Sequence, residues 1–201
     1  MPGLEESPKQ STKPTYPWYL RGVVVHGHGR GGSQLGYPTA NVKLDGPTID
    51  ALGTYNNLVL YGYGCIEPET PGSADGAIAG VNGKADTSAQ NLGPFPFVMS
   101  VGYNPQFKDV ALSAEVHFLQ TFPEDFYGHV VRIVVVGSIR EMYAFKSLQE
   151  LIDTINNDVV KAEEHMKDGA VNIYAQDDFV QPDAKLPENV RTSLPYMRIG
   201  Q

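Results

Sequence analysis

The chain has 201 residues, of which 41% are hydrophobic, and this size and composition suit one globular domain with tails. Fifteen Lys and Arg against 23 Asp and Glu give a formal charge of −8, which argues against broad binding to nucleic acids or anionic membranes. A single cysteine, Cys65, excludes an intramolecular disulfide and fits a reducing compartment. The polar amino terminus resembles neither a secretory nor a transit signal, and no apolar run is long enough to cross a bilayer. We therefore expect a cytoplasmic protein.

Residues 1–17 are expected to form a flexible arm, with the ordered part beginning at Trp18. Beyond the arm, short β-branched and aromatic runs separated by turn residues predict strands, and Asn82-Gly83 is a hairpin signal. The predicted strands are Tyr19–Val25, Ala40–Leu44, Thr54–Ile66, Gly76–Val81, Phe97–Val101, Val110–Phe118 and Val130–Gly137. Two polar segments, 67–75 and 85–96, are interpreted as loop insertions whose purpose the sequence leaves open.

One amphipathic helix is predicted from Ser147 to Met166, with Ser147 and Glu150 as a capping box. Apolar residues at spacings of three and four define its buried face: Leu148, Leu151, Ile152, Ile155, Val159, Ala162 and Met166. Many short strands with one packing helix favour an antiparallel barrel, because closure removes exposed edges. Residues 170–201 have no sustained period and are expected to lie over the surface or to be mobile. The predicted domain of barrel and helix is thus 18–169.

Glycines are dense in residues 24–41, and such density lets backbone amides approach an anionic ligand, usually phosphate. The stretch is not a Walker loop, since no lysine follows Gly36. The spacing of a dinucleotide fingerprint is present, but Gly36 and Pro38 prevent the helix that this fingerprint requires. His26 and His28 have no third ligand beside them, so solvent-facing histidines are favoured over a zinc site.

Two polar patterns each allow two interpretations. In the predicted strand Val110–Phe118, apolar residues alternate with polar ones, which places Glu115 and His117 on one face. That face is either solvated or the wall of a cleft in which Glu115 acts as a general base. Thr39 and Asn41 share a side by the same period of two. They form either a local turn or a pair of neutral oxygen ligands of the kind that Mg²⁺ accepts.

Five motifs follow one another along the chain: Arg21-Gly22, GHGRGGSQLGYPTAN, VMSVGYNPQF, AEVHFLQTFPEDFYG and VGSIREM. Taken in order, they closely resemble the motifs of eukaryotic monofunctional riboflavin kinase, and the resemblance runs from about Trp18 to Met166. It implies a mainly β fold, a six-stranded antiparallel Greek-key barrel with a C-terminal helix packed against it. It also implies transfer of the γ-phosphate of ATP to the 5′-hydroxyl of riboflavin, which yields FMN and ADP.

The resemblance assigns roles to individual residues. Glu115 matches the catalytic glutamate, and Thr39 and Asn41 match the ligands of Mg²⁺, with Zn²⁺ and Mn²⁺ as alternative metals. The positions that match ATP contacts are Gly27, Arg30, Ser33, Thr39, Phe118, Gln120 and Tyr127. The positions that match flavin contacts are Arg140, Tyr143 and Phe145. A surface charge and a core residue are the simpler interpretations of Arg140 and Phe145.

The chain departs from the family pattern at two of these positions. Ser33 stands where relatives can carry lysine, and Gln120 where histidine can occur, so contacts with phosphate and adenine are expected to differ. No adenylyl-transfer domain is expected before the barrel, and a monomer is expected because a closed barrel offers no strand edge. The alternatives are a catalytically silent barrel that binds flavin or nucleotide, and an interaction protein that uses the loops and tail.

Overall fold

The computed structural model describes residues 13–27, 39–68, 91–103, 112–123 and 125–200. Its strands are β1 (Trp18–Val25), β2 (Ala40–Val42), β3 (Leu58–Ile66), β4 (Phe95–Gly102), β5 (Ser113–Phe118), β6 (Val130–Glu141) and β7 (Tyr196–Ile199). Its α-helices are α1 (Gly46–Leu52), α2 (Leu148–Met166), α3 (Gly169–Asn172) and α4 (Glu188–Arg191). Single turns of 3₁₀ helix lie at Gly53–Tyr55, Ile173–Gln176 and Asp178–Val180.

Six strands close into an antiparallel barrel. Their order is β2-β5-β4-β3-β6-β1, and pairing of β1 with β2 completes the ring. Strand β6 returns to lie beside β3 after the β3-β4-β5 meander, which is the Greek-key connection. The predicted fold class is therefore confirmed.

Alternation along the strands divides the apolar residues into two clusters. The first fills the barrel and includes Trp18, Leu60, Met99, Val116 and Ile133, all less than 2% exposed. The second cluster lies on the outer face of β1, β3, β4 and β6, beneath α2 and the carboxyl-terminal segment. The outer face of one half of the barrel is thus a second core rather than a solvated surface.

Helix α2 matches its prediction to within one residue. Ser147 is its N-cap, and the Ser147 hydroxyl accepts a hydrogen bond from the Glu150 amide at 3.1 Å. The Glu150 carboxylate accepts from the amide of Lys146 at 2.7 Å rather than from that of the N-cap residue. Ala162 and Met166 are buried, whereas Leu148 is 59% exposed and so lies outside the apolar face on which the periodicity had placed it.

Several strand boundaries differ from those predicted, and helix α1 was not predicted at all. Helix α1 has only seven residues, too few for a recognisable apolar period, and it is set by the Asp45 carboxylate, which accepts from the Thr48 amide at 2.9 Å. The chain from 53 to 57 turns before β3 begins, so the predicted strand start at Thr54 is four residues early. Strand β4 begins two residues early, inside a predicted insertion, and β6 runs four residues further. The predicted strand Gly76–Val81 and the Asn82-Gly83 hairpin lie outside the described residues.

The carboxyl-terminal segment 170–200 packs against the barrel. Strand β7 pairs with β1 from Trp18 to Arg21, and Phe179, Val180 and Val190 join the outer core. The hydroxyl of Tyr19 donates to Asp177 at 2.9 Å, and burial together with this carboxylate raises the pKa of Tyr19 to about 12. Residues at the other terminus also contact the fold, since the Tyr55 hydroxyl donates to the carbonyl of Thr15 at 2.5 Å.

Two buried arginines, neighbours across the β1–β6 pair, hold this segment. Arg21 binds Glu67 in a two-pronged ion pair at 2.6 and 2.9 Å and also donates to the carbonyl of Ser193 at 3.1 Å. Arg132 donates to the carbonyls of Gln181 and Pro182 at 2.8 and 2.9 Å. These hydrogen bonds join main-chain carbonyls of the segment to buried charged donors of the barrel, so the segment is part of the folded unit.

Truncation of an outer-core residue tests this conclusion. Phe179→Ala should lower the free energy of unfolding by about 3 kcal/mol, since it leaves a cavity between β1 and the carboxyl-terminal segment. Urea denaturation followed by tryptophan fluorescence measures the change. Ile173→Ala is the control, because Ile173 is 63% exposed in the same segment and should change stability by no more than about 0.5 kcal/mol. Equal effects of the two substitutions would contradict a packed segment.

Candidate active site

Strand β5 carries its polar side chains on the outer face of the barrel. Ala114, Val116 and Phe118 point into the core, whereas Ser113, Glu115 and His117 are half-buried and point outward. The Ser113 hydroxyl lies 3.3 Å from Oε1 of Glu115, and 3.3 Å from the carbonyl of Gly102. The predicted alternation is therefore confirmed, and Glu115 is held on a rigid element with partial access to solvent.

Cross-strand pairing extends this outer face into a continuous row. Glu115 is opposite Asn41 on β2 and opposite Ser100 on β4. Ser100 is opposite Val59 on β3, and Val59 is opposite Arg140 on β6. Residues that are directly opposite in antiparallel strands share a face. We call the five residues Asn41, Glu115, Ser100, Val59 and Arg140 the outer row.

Thr39, Asn41 and Gly27 meet at the β2 end of the outer row. Thr39 and Asn41 are half-buried and lie on one side of the chain as it enters β2. Gly27 lies against Asn41, and a Cβ at Gly27 would overlap the side-chain amide nitrogen of Asn41. The glycine therefore leaves room for the Asn41 amide beside the Glu115 carboxylate. A hydroxyl, an amide oxygen and a nearby carboxylate suit a hard divalent cation that also binds phosphate oxygens.

The residues predicted to contact the adenine do not all lie beside the glycine-rich stretch. Tyr127 stacks on His26 with ring centroids 3.7 Å apart, and the amide of Gly128 donates to the carbonyl of Val24 at 2.8 Å. These contacts bring Tyr127 to the start of the glycine-rich stretch. Gln120 is exposed, and its side chain donates to the Thr121 carbonyl at 3.0 Å.

Phe118 is only 3% exposed and packs in the barrel interior with four other phenylalanines. Any contact that Phe118 makes with a ligand must therefore go through its main chain. Arg30 and Ser33, the two remaining predicted contacts of ATP, lie outside the described residues.

Arg140, Tyr143 and Phe145 come together at the other end of the outer row. The Arg140 guanidinium carbon lies 4.9 Å from the ring centroid of Tyr143 and 6.0 Å from that of Phe145. The two rings are 5.0 Å apart, and the Tyr143 hydroxyl is 3.2 Å from the hydroxyl of Thr154 on α2. We call these three residues the aromatic wall.

An open depression of about 550 Å³ lies beside the aromatic wall. Arg140 and Tyr143 line it together with polar residues of α2, among them Glu150, Thr154 and Asn157. An aromatic surface with a few polar groups around it suits a flat heteroaromatic ligand.

The sequence interpretation missed two residues of the candidate site: Asp158, which binds Arg140, and Ser100, which is opposite Glu115. Asp158 is 2% exposed and forms an ion pair with Arg140. A signal was present, since Asp158 lies three residues after Ile155 and four before Ala162, on the otherwise apolar face of α2. Ser100 gave no signal, because only the register of β4 with β5 places it next to Glu115.

The described residues contain no group of three or more His, Cys, Asp and Glu side chains that could hold a metal ion. Among them, no helix has both the length and the apolar character of a membrane span.

Comparison with known proteins identifies relatives of this chain. The profile of the flavokinase family, described as riboflavin kinase, matches residues 14–166. Riboflavin kinase of Pyricularia oryzae is 33% identical over 156 residues, 75% of this chain and 72% of the fungal protein. Human riboflavin kinase is 33% identical over 152 residues, 75% of this chain and 82% of the human protein. The crystal structure of riboflavin kinase from Trypanosoma brucei superposes with a TM-score of 0.67 at 33% identity. That match covers 92% of this chain and 98% of the trypanosomal chain.

Fold and relatives together define an enzyme of the phosphotransferase class. More narrowly, the chain belongs to the riboflavin kinase family. The profile ends at Met166, whereas the trypanosomal structure covers more of this chain than residues 14–166 contain, so its likeness extends beyond the profile.

The contact between Gly27 and Asn41 gives a prediction for metal dependence. Gly27→Ala should displace the Asn41 amide and raise the Mg²⁺ concentration needed for half-maximal FMN formation several-fold. A Mg²⁺ titration at saturating ATP and riboflavin measures this. Gly46→Ala is the control, because a Cβ at Gly46 meets no atom within 4 Å. A Gly27→Ala titration curve that overlays that of the parent would show that Asn41 is not a ligand or that the loop adjusts freely.

Proposed function

We propose that this protein transfers the γ-phosphate of ATP to the 5′-hydroxyl of riboflavin and so produces FMN and ADP. The observation that carries the proposal is the outer row, which has a carboxylate and neutral side-chain oxygens at one end and the aromatic wall at the other, with the half-buried Ser100 and the buried Val59 between them. Glu115 and Arg140 are three strand spacings apart, about 14 Å along the barrel surface. That span is comparable to a ribityl chain joined to an isoalloxazine ring.

Glu115 is the general base in this proposal. Its carboxylate accepts the proton of the ribityl 5′-hydroxyl while the hydroxyl oxygen bonds to the γ-phosphorus, and the bond between that phosphorus and ADP breaks. A half-buried carboxylate on a strand suits this role, because its position is fixed and it still faces solvent from which substrate can enter. The nearby Ser113 hydroxyl would help to orient it.

Thr39 and Asn41 would hold Mg²⁺, for which Zn²⁺ and Mn²⁺ are the alternatives. When bound, the cation would neutralise charge on the phosphate oxygens and so supply electrostatic stabilisation of the transferring group. Two neutral ligands from the protein leave positions for water and phosphate oxygens, which is the arrangement that Mg²⁺ favours. The close contact between Gly27 and Asn41 supports this role, since the absence of a side chain at Gly27 leaves space for the Asn41 amide.

The nucleotide would lie on the glycine-rich side of β2. Gly27 would approach the phosphates through its main chain, with Arg30 and Ser33 further along the same stretch. Tyr127, stacked on His26, would border the adenine, and Phe118 and Gln120 would contribute main-chain or polar contacts nearby. A monomer in the cytoplasm remains the prediction for assembly and location.

The flavin ring would lie against the aromatic wall. Tyr143 is 44% exposed, so part of its ring is available to a ligand. Stacking against an aromatic ring and a guanidinium suits the electron-poor isoalloxazine and costs little conformational entropy, because both partners are already held by neighbours. The full set of Thr39, Asn41 and Glu115 favours catalysis over a silent binding role.

Removal of the base tests the proposal. Glu115→Gln preserves shape and hydrogen bonding but should lower kcat by about 10²- to 10⁴-fold, with ATP binding and melting temperature nearly unchanged. The measurement is chromatographic detection of FMN after incubation with riboflavin, ATP and Mg²⁺, in single turnover.

His117→Gln is the matched control, since His117 lies two residues further along the same face of β5. No FMN from the parent would refute the proposed function. A Glu115→Gln rate within a few-fold of the parent would refute the assigned base and leave the reaction intact.

A further inference from the structure

The aromatic wall depends on a buried ion pair between β6 and α2. Nε of Arg140 donates to both carboxylate oxygens of Asp158 at 2.9 and 3.1 Å, and Nη2 donates to Oδ2 at 2.7 Å. Nη1 donates to the Glu141 carbonyl at 2.9 Å. The side chain of Asp158 is 3% exposed and that of Arg140 is 18% exposed. The guanidinium plane is therefore fixed by acceptors along two of its edges.

This arrangement determines what Arg140 can offer a ligand. Most of its donors are engaged with Asp158 and Glu141, so its edges are committed to the protein. Two N–H groups and the flat face remain, and Tyr143 and Phe145 lie within 6.0 Å of the centre of that face. Arg140 therefore acts as a stacking platform for the wall rather than as a mobile cation that reaches for phosphate.

Burial of the Asp158 carboxylate carries a desolvation penalty, which suggests that the residue has a functional role. It occupies the buried face of α2 between Ile155 and Ala162, where an apolar residue would pack without desolvation. Buried ion pairs often contribute no more stability than apolar residues of similar volume. The bidentate geometry supplies orientation instead, since a carboxylate that holds the guanidinium fork fixes its plane.

We propose that Asp158 is a positioning residue for the flavin, which acts by fixing the Arg140 guanidinium against the rings of Tyr143 and Phe145. The inference rests on the proposed function and adds a residue to the proposed flavin site at the aromatic wall. Thr154 contributes a second support: its hydroxyl donates to the Glu150 carbonyl at 2.7 Å, so the Tyr143 hydroxyl is the donor in the Tyr143–Thr154 contact. Helix α2 thereby holds Arg140 and Tyr143 at the same time.

The test compares riboflavin affinity with catalysis and stability. Asp158→Asn removes the charge and one strong acceptor with little change of shape. It should weaken riboflavin binding, measured by flavin fluorescence titration, about 5- to 20-fold and raise KM for riboflavin similarly. KM for ATP and kcat at saturating riboflavin should stay within about twofold, because Glu115, Thr39 and Asn41 are untouched.

Glu67→Gln is the matched control. It disrupts the other bidentate arginine–carboxylate pair of the described structure, between Glu67 and Arg21, which does not line the depression. It should lower the melting temperature without a change in riboflavin affinity. Asp158→Glu is the second variant, since it keeps both charges and so avoids an unpaired buried arginine. By shifting the carboxylate it should weaken riboflavin binding to a smaller degree than Asp158→Asn.

Action through Arg140 is tested by combining substitutions. In an Arg140→Lys background, which lacks the fork and the flat face, Asp158→Asn should change riboflavin affinity less than twofold. The proposal is overturned if Asp158→Asn and Asp158→Glu alter only the melting temperature, as Glu67→Gln does, or if the effects of Asp158→Asn and Arg140→Lys simply add. These titrations need no turnover. A parent that binds riboflavin without making FMN would refute the proposed function and still leave the role of Asp158 decided.

Discussion

Closure of the barrel through the three-residue strand β2 is the constraint on which the rest of the structure depends. Strand β2 pairs with β1 at Val24 and Val25 and with β5 through Ala40 and Asn41. This register places Asn41 opposite Glu115, and Thr39 one step before the strand, so the same pairs that close the barrel assemble the polar end of the site. Because β2 is so short, it does not reach the first half of β1. Strand β7 pairs with that half of β1 instead, on the same side as β2.

The two halves of the outer barrel face differ in character: one is packed and apolar, and the other is polar and partly open to solvent. Beneath α2 and the carboxyl-terminal segment the face is a second apolar core, which Arg21 and Arg132 reinforce by binding main-chain carbonyls. On β2, β5 and the adjoining part of β4 the outward side chains are polar and half-buried. Arg140 lies where these regions meet, paired with the covering helix through Asp158 and in contact with the aromatic wall. The structure thus links the position of α2 to the shape of the depression in which the flavin is proposed to bind.

Sequence patterns predicted the parts of this fold that repeat with a regular period. The alternation in β5 placed Glu115 outward, and the spacing in α2 located that helix to within one residue. Helix α1 and the short elements after 169 were missed because none is long enough to show a period, and their stability comes from capping by Asp45 and from contacts such as those of Phe179. The pairing of Asp158 with Arg140 and the place of Ser100 beside Glu115 depend on long-range register, which one sequence does not reveal.

Phosphoryl transfer is proposed to take place along the outer row, with the flavin extended from Glu115 to the aromatic wall. A crystal structure of the protein with FMN, ADP and Mg²⁺ tests it most directly, because it locates both ends of the product in one measurement. We expect the FMN phosphate beside Glu115 and Asn41, the ribityl chain over Ser100, and the isoalloxazine ring against Tyr143 and Phe145. An FMN molecule on another face of the barrel, or one whose phosphate lies at Arg140 and whose ring lies near Glu115, would contradict it.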